Sequence, residues 1–450
     1  MTRRLLGALL LLLAATPAWA QSPAQSPAPA QPQAPAASPV APPPIGVHLG
    51  VATCAGSNCH GATTRPRNSY VPGNEYLIWS KQDKHRNAYN LLLDDRAIKM
   101  ARALGLPDAA HQKICLDCHA DNVAANLRGA QFQLSDGVDC EACHGGASGW
   151  LGIHISGATH AQNVAAGLYP TEQPIARAEK CLGCHYGDDT RFASHQLYGA
   201  GHPRLTFELD TYTAIEPAHF VVDQGYIERK GRITDAQVWA VGQAIALAKR
   251  MDAVLDPAHA PKGFWPEFAF FDCQSCHHEY GGYARATTTG LGPGTVKFND
   301  ANEVMLKVIA ERVAPQTASE LHDHMMALHK ATLDDWAAVQ REAAAVKAAA
   351  QSLVDSLAHH DFTGDDMRAM ANALIGIAGS DEVFSHDEQI TMALEALATG
   401  LKASGDIGDK QAGAVDNAMK AVYAAFPNDQ SVRQDAFLKA LKAVQQAMRK

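Results

Sequence analysis

Five short cysteine motifs between residues 54 and 276 constrain this chain more than any other feature. All ten cysteines of the 450 residues fall into five tight pairs, and a histidine directly follows the second cysteine of each pair. Two residues separate the cysteines in four pairs, and four residues separate them in the first. The motifs are Cys54, Cys59 and His60; Cys115, Cys118 and His119; Cys140, Cys143 and His144; Cys181, Cys184 and His185; and Cys273, Cys276 and His277.

The C-x-x-C-H string is the attachment signature of a c-type haem, in which two thioethers hold the porphyrin and the adjacent imidazole binds the iron. Structural zinc and disulfides are the alternatives for paired cysteines. Neither needs a histidine directly after each pair, and histidine accounts for only 21 of the 450 residues. A C-x-x-C disulfide is also strained and redox-active. We therefore predict about five covalently bound haem c groups, with the first on a widened variant of the motif.

The sixth ligand of each iron decides whether a haem transfers electrons or binds small molecules. Between residues 46 and 282 the only methionines are Met100 and Met251, both in stretches with helical periodicity. Histidine is therefore the expected distal ligand, which implies lower reduction potentials than histidine with methionine. Ten histidines in this region are spare: His48, His85, His111, His154, His160, His195, His202, His219, His259 and His278. Local context favours His85, His154, His195 and His202; His278 is a candidate for a haem other than that of His277, and His48, His160 and His219 stay open.

Two longer strings carry a resemblance to a known family. Residues 137–145 read GVDCEACHG and residues 200–209 read AGHPRLTFEL. With the haem motifs, they make residues 46–282 resemble the multihaem cytochrome c-554 family. The resemblance implies closely packed haems that pass electrons in the periplasm, where the best-known member accepts them from hydroxylamine oxidation.

The resemblance also implies roles for individual histidines. His85 looks like a distal ligand to a later haem, His154 resembles the ligand that returns to the haem of His60, and His202 looks like a further distal ligand. One haem of the family can lack a sixth ligand, and its counterpart here is the haem of His119, whose iron would then bind nitric oxide or a similar diatomic. The wide first motif, the added motif at Cys273 and the long cysteine-free tail depart from the family pattern.

The amino-terminal residues indicate export. Residues 1–20 combine Arg3 and Arg4 with an apolar run and a small-x-small end, which is typical of a secretory signal peptide. The alternative is an uncleaved anchor helix, but the apolar run is shorter than the roughly 20 residues that span a bilayer. Cleavage would change the formal net charge from −9 to −11 by removing both arginines. We expect a periplasmic or extracellular protein without a transmembrane segment after cleavage.

The remaining regions differ sharply in composition. Residues 21–45 are almost wholly Ala, Pro, Gln and Ser, which predicts a disordered leader. Residues 46–282 form the predicted pentahaem cytochrome c domain, with a helix from about Thr234 to Val254. Residues 283–450 are rich in alanine with helical periodicity, which predicts an α-helical bundle. The predicted fold class is therefore mainly α with few strands.

The bundle is predicted from six helical segments: 299–312, 317–357, 365–377, 386–401, 410–425 and 431–448. Within the second, His322, His324 and His329 could share in a metal or distal-haem site. Ordinary surface or core positions are favoured for them, because no carboxylate–histidine spacing for a metal is apparent. Asp335 and Trp336 are expected to lie on the helix surface and in the packing, respectively.

These observations favour an electron carrier that exchanges electrons with redox partner proteins in the periplasm. No basic stripe for nucleic acid and no G-x-S-x-G, H-E-x-x-H or phosphate-loop motif is present, and no catalytic residue is assigned. The alternative is an oxidoreductase that acts on a small nitrogen or sulfur oxide at a five-coordinate haem. The C-x-x-C-K motif of pentahaem nitrite reductases is absent. A polymerising extracellular cytochrome is a third hypothesis, in which a distal histidine would come from another subunit. The sequence therefore also leaves the oligomeric state open.

Overall fold

The computed structural model describes residues 46–67, 69, 71–188, 190–261, 267–277, 291, 296–380 and 383–449. The predicted signal peptide, the leader and the boundary between residues 282 and 283 lie outside these ranges. Within them the fold is mainly α, as predicted, and β pairing is confined to three isolated bridges. No helix in the described ranges is long and apolar enough to cross a membrane.

Short helices and 3₁₀ turns build the region that carries the cysteine motifs. The helices are α1 (Glu75–Gln82), α2 (Asp95–Ala103), α3 (Lys113–His119), α4 (Cys140–His144), α5 (Leu151–Ile155), α6 (His160–Ala165), α7 (Pro174–His185), α8 (His195–Gly199), α9 (Leu209–Ile215) and α10 (Gln224–Lys230). Helices α3, α4 and α7 each end at a motif histidine. Cysteines three residues apart share one face of a helical turn, so these motifs present both thiols together.

The first and fifth motifs have other local structures. Cys54 directly follows a 3₁₀ turn at Val51–Thr53, and its wide motif continues as turns. The fifth motif begins with a 3₁₀ turn at Cys273–Ser275. The four-residue spacing of the first motif therefore folds as a loop, while its second cysteine and histidine stay adjacent.

A long buried helix joins the motif region to the helices that follow. Helix α11 (Asp235–Leu255) confirms the predicted helix and buries 15 of its 21 residues. It starts at a capping box, in which Thr234 and Gln237 satisfy each other's backbone N–H groups. Gly242 lets α9 approach closely, because a Cβ there would lie 2.8 Å from the Cβ of Leu209.

Seven further helices share one hydrophobic core with α11. They are α12 (Ala301–Val313), α13 (Pro315–Ala331), α14 (Trp336–His359), α15 (Gly364–Ser380), α16 (Phe384–Ala403), α17 (Asp409–Tyr423) and α18 (Gln434–Met448). Leu306, Leu321 and Leu397 are fully buried in that core. Six segments were expected, and the structure divides the second of them into α13 and α14.

The division places Asp335 in a role that its sequence context did not indicate. Its side chain accepts a hydrogen bond from the backbone N–H of Ala338 at 2.7 Å and caps the start of α14. Asp335 is exposed, as expected of a surface residue, but it lies at the start of the helix, where a carboxylate satisfies N–H groups that have no partner within the helix.

The bundle histidines have carboxylate partners. His322 Nδ1 lies 3.2 Å from Glu303, and His324 Nδ1 lies 3.0 Å from Glu342. His329 is fully buried, and its Nε2 lies 3.1 Å from the carboxylate of Asp300. The other oxygen of Asp300 lies 2.7 Å from Nε2 of the buried His386. A buried His329–Asp300–His386 cluster therefore joins α13, α16 and the residue before α12.

Candidate functional site

Each of the five motif histidines faces a second histidine from a distant part of the chain. An iron bound at about 2 Å by two opposite imidazole nitrogens holds their ring centroids about 6 Å apart. All five pairs have this spacing. The centroid distances are 6.2 Å for His60–His154, 6.4 Å for His119–His202, 6.4 Å for His144–His219, 5.9 Å for His185–His85 and 6.3 Å for His277–His195.

The structure brings the four favoured histidines, His85, His154, His195 and His202, opposite motif histidines. His278 lies outside the described residues. The fifth facing histidine is His219, which the sequence left open. The sequence near His219 offers one sign of a ligand role, which is the apolar segment that follows it. In the structure Val221 and Val222 of that segment are at least half exposed.

The structure does not support the vacant position that the family resemblance implied at His119, because His202 faces that histidine. Two contacts hold His202 in place. The Arg96 guanidinium donates hydrogen bonds of 2.6 and 3.0 Å to the carbonyl oxygen of Gly201, and Gly201 has a φ of 108°, which favours glycine. The turn that carries His202 is thereby tied to α2.

The other spare histidines have partners of their own. The buried His48 contacts Asp121 at 2.5 Å, and His160 contacts Glu172 at 2.6 Å. The exposed His111 pairs with Asp108 at 2.9 Å, and His259 contacts the carbonyl oxygen of Ala253 at 3.0 Å. These four side chains are hydrogen-bonding residues that face no motif histidine.

The Nδ1 atoms of four facing histidines are oriented by acceptors. His60 lies 3.0 Å from a carboxylate oxygen of Glu75, and His85 lies 3.0 Å from one of Asp83. His119 and His202 instead contact the backbone carbonyl oxygens of residues 88 and 203, at 2.9 and 2.7 Å. A histidine that binds a metal through Nε2 commonly donates its Nδ1 proton in this way.

Electrostatics at the buried rings also suits metal binding. Burial lowers the pKa of His144 and of His185 to about 4. Both imidazoles are therefore neutral near pH 7, which is the form that ligates iron. The hydrogen bond to Glu75 instead raises the pKa of His60, and the one to Asp83 raises that of His85.

Large apolar side chains lie exposed beside several facing histidines. Ile153 and Ile155 flank His154, with 40% and 72% of their surface exposed. The ring of Phe268 lies 5.4 Å from that of His195. Apolar groups at such positions need an apolar partner, and a porphyrin supplies one. The facing pairs, the Nδ1 acceptors and the apolar surroundings all fit a haem.

Comparison with known proteins gives one match. Residues 53–145 match the family model described as cytochrome c554 and c-prime. This segment is therefore similar to the cytochrome c554 family. No curated protein and no solved structure matches the chain. The cytochrome c554 match covers about a fifth of the chain and contains the first three motifs.

This match supports a c-type cytochrome with covalently bound haem c and its iron. All ten cysteines lie in the described ranges. The matched segment also brings separate motifs together, because Cys54 of the first motif lies beside Cys140 of the third.

Glu141, which lies between the two cysteines of the third motif, holds this arrangement. Its buried carboxylate accepts hydrogen bonds from the backbone N–H groups of Leu49 at 2.8 Å, Gly50 at 2.6 Å and Ala147 at 2.7 Å. The segment that leads into the first motif is thereby fixed against α4. Sequence reasoning did not single out Glu141, because two of its three partners are backbone groups about 90 residues away.

Proposed function

We propose that this cytochrome is an exported electron carrier with five haems, each bound by two histidines. The five facing histidine pairs are the observation that carries the proposal. In motif order, haem 1 takes His60 and His154, haem 2 takes His119 and His202, haem 3 takes His144 and His219, haem 4 takes His185 and His85, and haem 5 takes His277 and His195. Each haem supplies one-electron exchange between ferric and ferrous iron.

Contacts between motifs support a continuous path through the haems. Besides the closeness of Cys54 and Cys140, Cys118 lies beside Cys184, so the attachment points of haems 2 and 4 are neighbours. Cys143 also lies near Cys181 and Cys184, which relates haem 3 to haem 4. The path therefore runs from haem 1 through haems 3 and 4 to haem 2.

Haem 5 extends this path at the haem 2 end. Helix α8 begins at His195, the proposed ligand of haem 5, and the turn that follows it carries His202, the proposed ligand of haem 2. Tyr198, between them, lies 6.4 Å from the ring of His202 and also near Cys273. Redox partner proteins would then exchange electrons at haems 1 and 5.

The same pairs argue against the two alternatives. An iron with two histidine ligands has no coordination position for a nitrogen or sulfur oxide. Every motif faces a histidine of its own chain, so polymerisation is not needed to complete the ligand sets. Export is supported by the signal-like residues 1–20 and by the family, whose members are typically exported.

Haem stoichiometry and spin state test the proposal. Intact-protein mass spectrometry of the exported protein should show five haems, and low-temperature electron paramagnetic resonance should show only low-spin iron. Addition of nitric oxide should leave these spectra unchanged. Fewer than five haems would contradict the stoichiometry, and one high-spin haem that binds nitric oxide would favour the oxidoreductase.

A further inference from the structure

We propose that Glu75 and Asp83 are positioning residues that lower the reduction potentials of haems 1 and 4. The inference rests on the proposed haem ligands and concerns two carboxylates that bind no iron themselves. It predicts that the haems differ in potential in a direction set by the Nδ1 partner of each axial histidine.

Glu75 is held firmly against the motif histidine of haem 1. It is the first residue of α1, and only 16% of its side chain is exposed. One carboxylate oxygen lies 3.0 Å from Nδ1 of His60, and the other accepts a hydrogen bond of 3.1 Å from the backbone N–H of Gly73. Both oxygens are therefore fixed by the fold.

Asp83 holds the distal ligand of haem 4 in a similar way. Its side chain is 8% exposed, and one oxygen contacts both the backbone N–H of His85 at 2.9 Å and Nδ1 of His85 at 3.0 Å. A second carboxylate adds negative charge, because ligand atoms of Asp83, His85 and Glu216 all lie within 4.8 Å of one another.

Haem 2 is the internal comparison. Its two histidines, His119 and His202, both have neutral backbone carbonyl groups at Nδ1. A carboxylate that accepts the Nδ1 proton makes an imidazole a stronger electron donor than a carbonyl does. The ferric state carries one more positive charge than the ferrous state, so a donor of this kind and a nearby anion both stabilise it. Haems 1 and 4 should therefore have lower potentials than haem 2.

This difference gives the proposed path a direction. Electrons that enter at haem 1 pass haem 4 before they reach haem 2. The transfer from haem 4 to haem 2 therefore runs from lower to higher reduction potential. Delivery toward haem 5 is thereby favoured over return to haem 1.

The test uses Glu75→Gln and Asp83→Asn in the full-length exported holoprotein. Each substitution keeps a hydrogen-bond acceptor and removes the charge. Redox titration followed by optical and paramagnetic resonance spectra should show one haem shifted upward in each variant, by about tenfold in its ferric–ferrous equilibrium, or about 59 mV for one electron. The other four haems should shift less, and in Asp83→Asn the largest of these smaller shifts is expected at haem 3, because His219 also lies near that carboxylate.

Glu342→Gln is the matched control. It removes the carboxylate partner at Nδ1 of His324, which lies in the bundle and faces no motif histidine, and should move no potential. Glu75→Asp, which keeps the charge, should stay closer to the wild type than Glu75→Gln.

Haem mass and low-spin content are measured first on every sample. Five low-spin haems with unmoved potentials in both variants would overturn the inference and leave the proposed function standing, whereas a wild type with fewer than five haems would contradict that function. Loss of a haem from both variants would also overturn the inference, because the carboxylates would then be structural. If only one variant loses its haem, the other decides.

Discussion

Replacing His202 by alanine should convert one of the five haems from low to high spin. His202 is the histidine that faces His119, with ring centroids 6.4 Å apart, and alanine leaves no ligand at that position. The other four facing pairs involve different residues, so their iron should stay low-spin. The turn itself should persist, because Arg96 binds the backbone carbonyl of Gly201 and not the His202 side chain.

The assay is low-temperature paramagnetic resonance with integrated signals, followed by titration with nitric oxide. The expected result is a high-spin signal from about one-fifth of the iron and binding of about one nitric oxide per chain. His111→Ala is the control, since His111 is exposed and pairs only with Asp108. An entirely low-spin His202→Ala variant would refute the assignment, and high-spin iron at several haems would show that the turn had collapsed.

Two further predictions concern the helical bundle. Asp300→Ala should lower the free energy of unfolding by about 3–5 kcal/mol, because it leaves the buried His329 and His386 without their shared carboxylate. Chemical denaturation followed by far-ultraviolet circular dichroism measures this change. An unchanged denaturation midpoint would contradict the prediction. Burial raises the pKa of Asp300, but His386 and His329 outweigh that effect and hold the pKa well below its usual range. Its contribution is therefore present above about pH 4 and lost as pH falls through the depressed native pKa, so the variant should lose less stability in acid than the wild type. Asp335→Ala should lower the free energy of unfolding by about 1 kcal/mol through loss of the cap on α14. The same measurement checks this, with Asp334→Ala as the control that removes a neighbouring carboxylate which does not cap the helix.

The helical framework was largely predictable because its signals are local. The capping box of Thr234 and Gln237 and the apolar residues that follow specify α11 within one segment. The break between α13 and α14 was missed, because only the four residues 332–335 separate two alanine-containing helical segments; the last of the four, Asp335, caps the second helix. Likewise, nothing in the bundle sequence indicated that Asp300 and His386 share a buried contact, because Asp300 directly precedes α12 and His386 lies in α16.

The sequence by itself determined where haem is expected to attach, because two cysteines and the histidine that follows them lie within a short local motif. Only the tertiary structure decided which second histidine faces each motif histidine. His219 and His202 each reach their motif histidine from far along the chain, and His160 and His48, no different in sequence, are occupied by carboxylates instead. A distal ligand is chosen by how separate helices and turns pack, and that packing depends on long-range contacts such as those of Glu141 and Arg96, which local spacing does not encode.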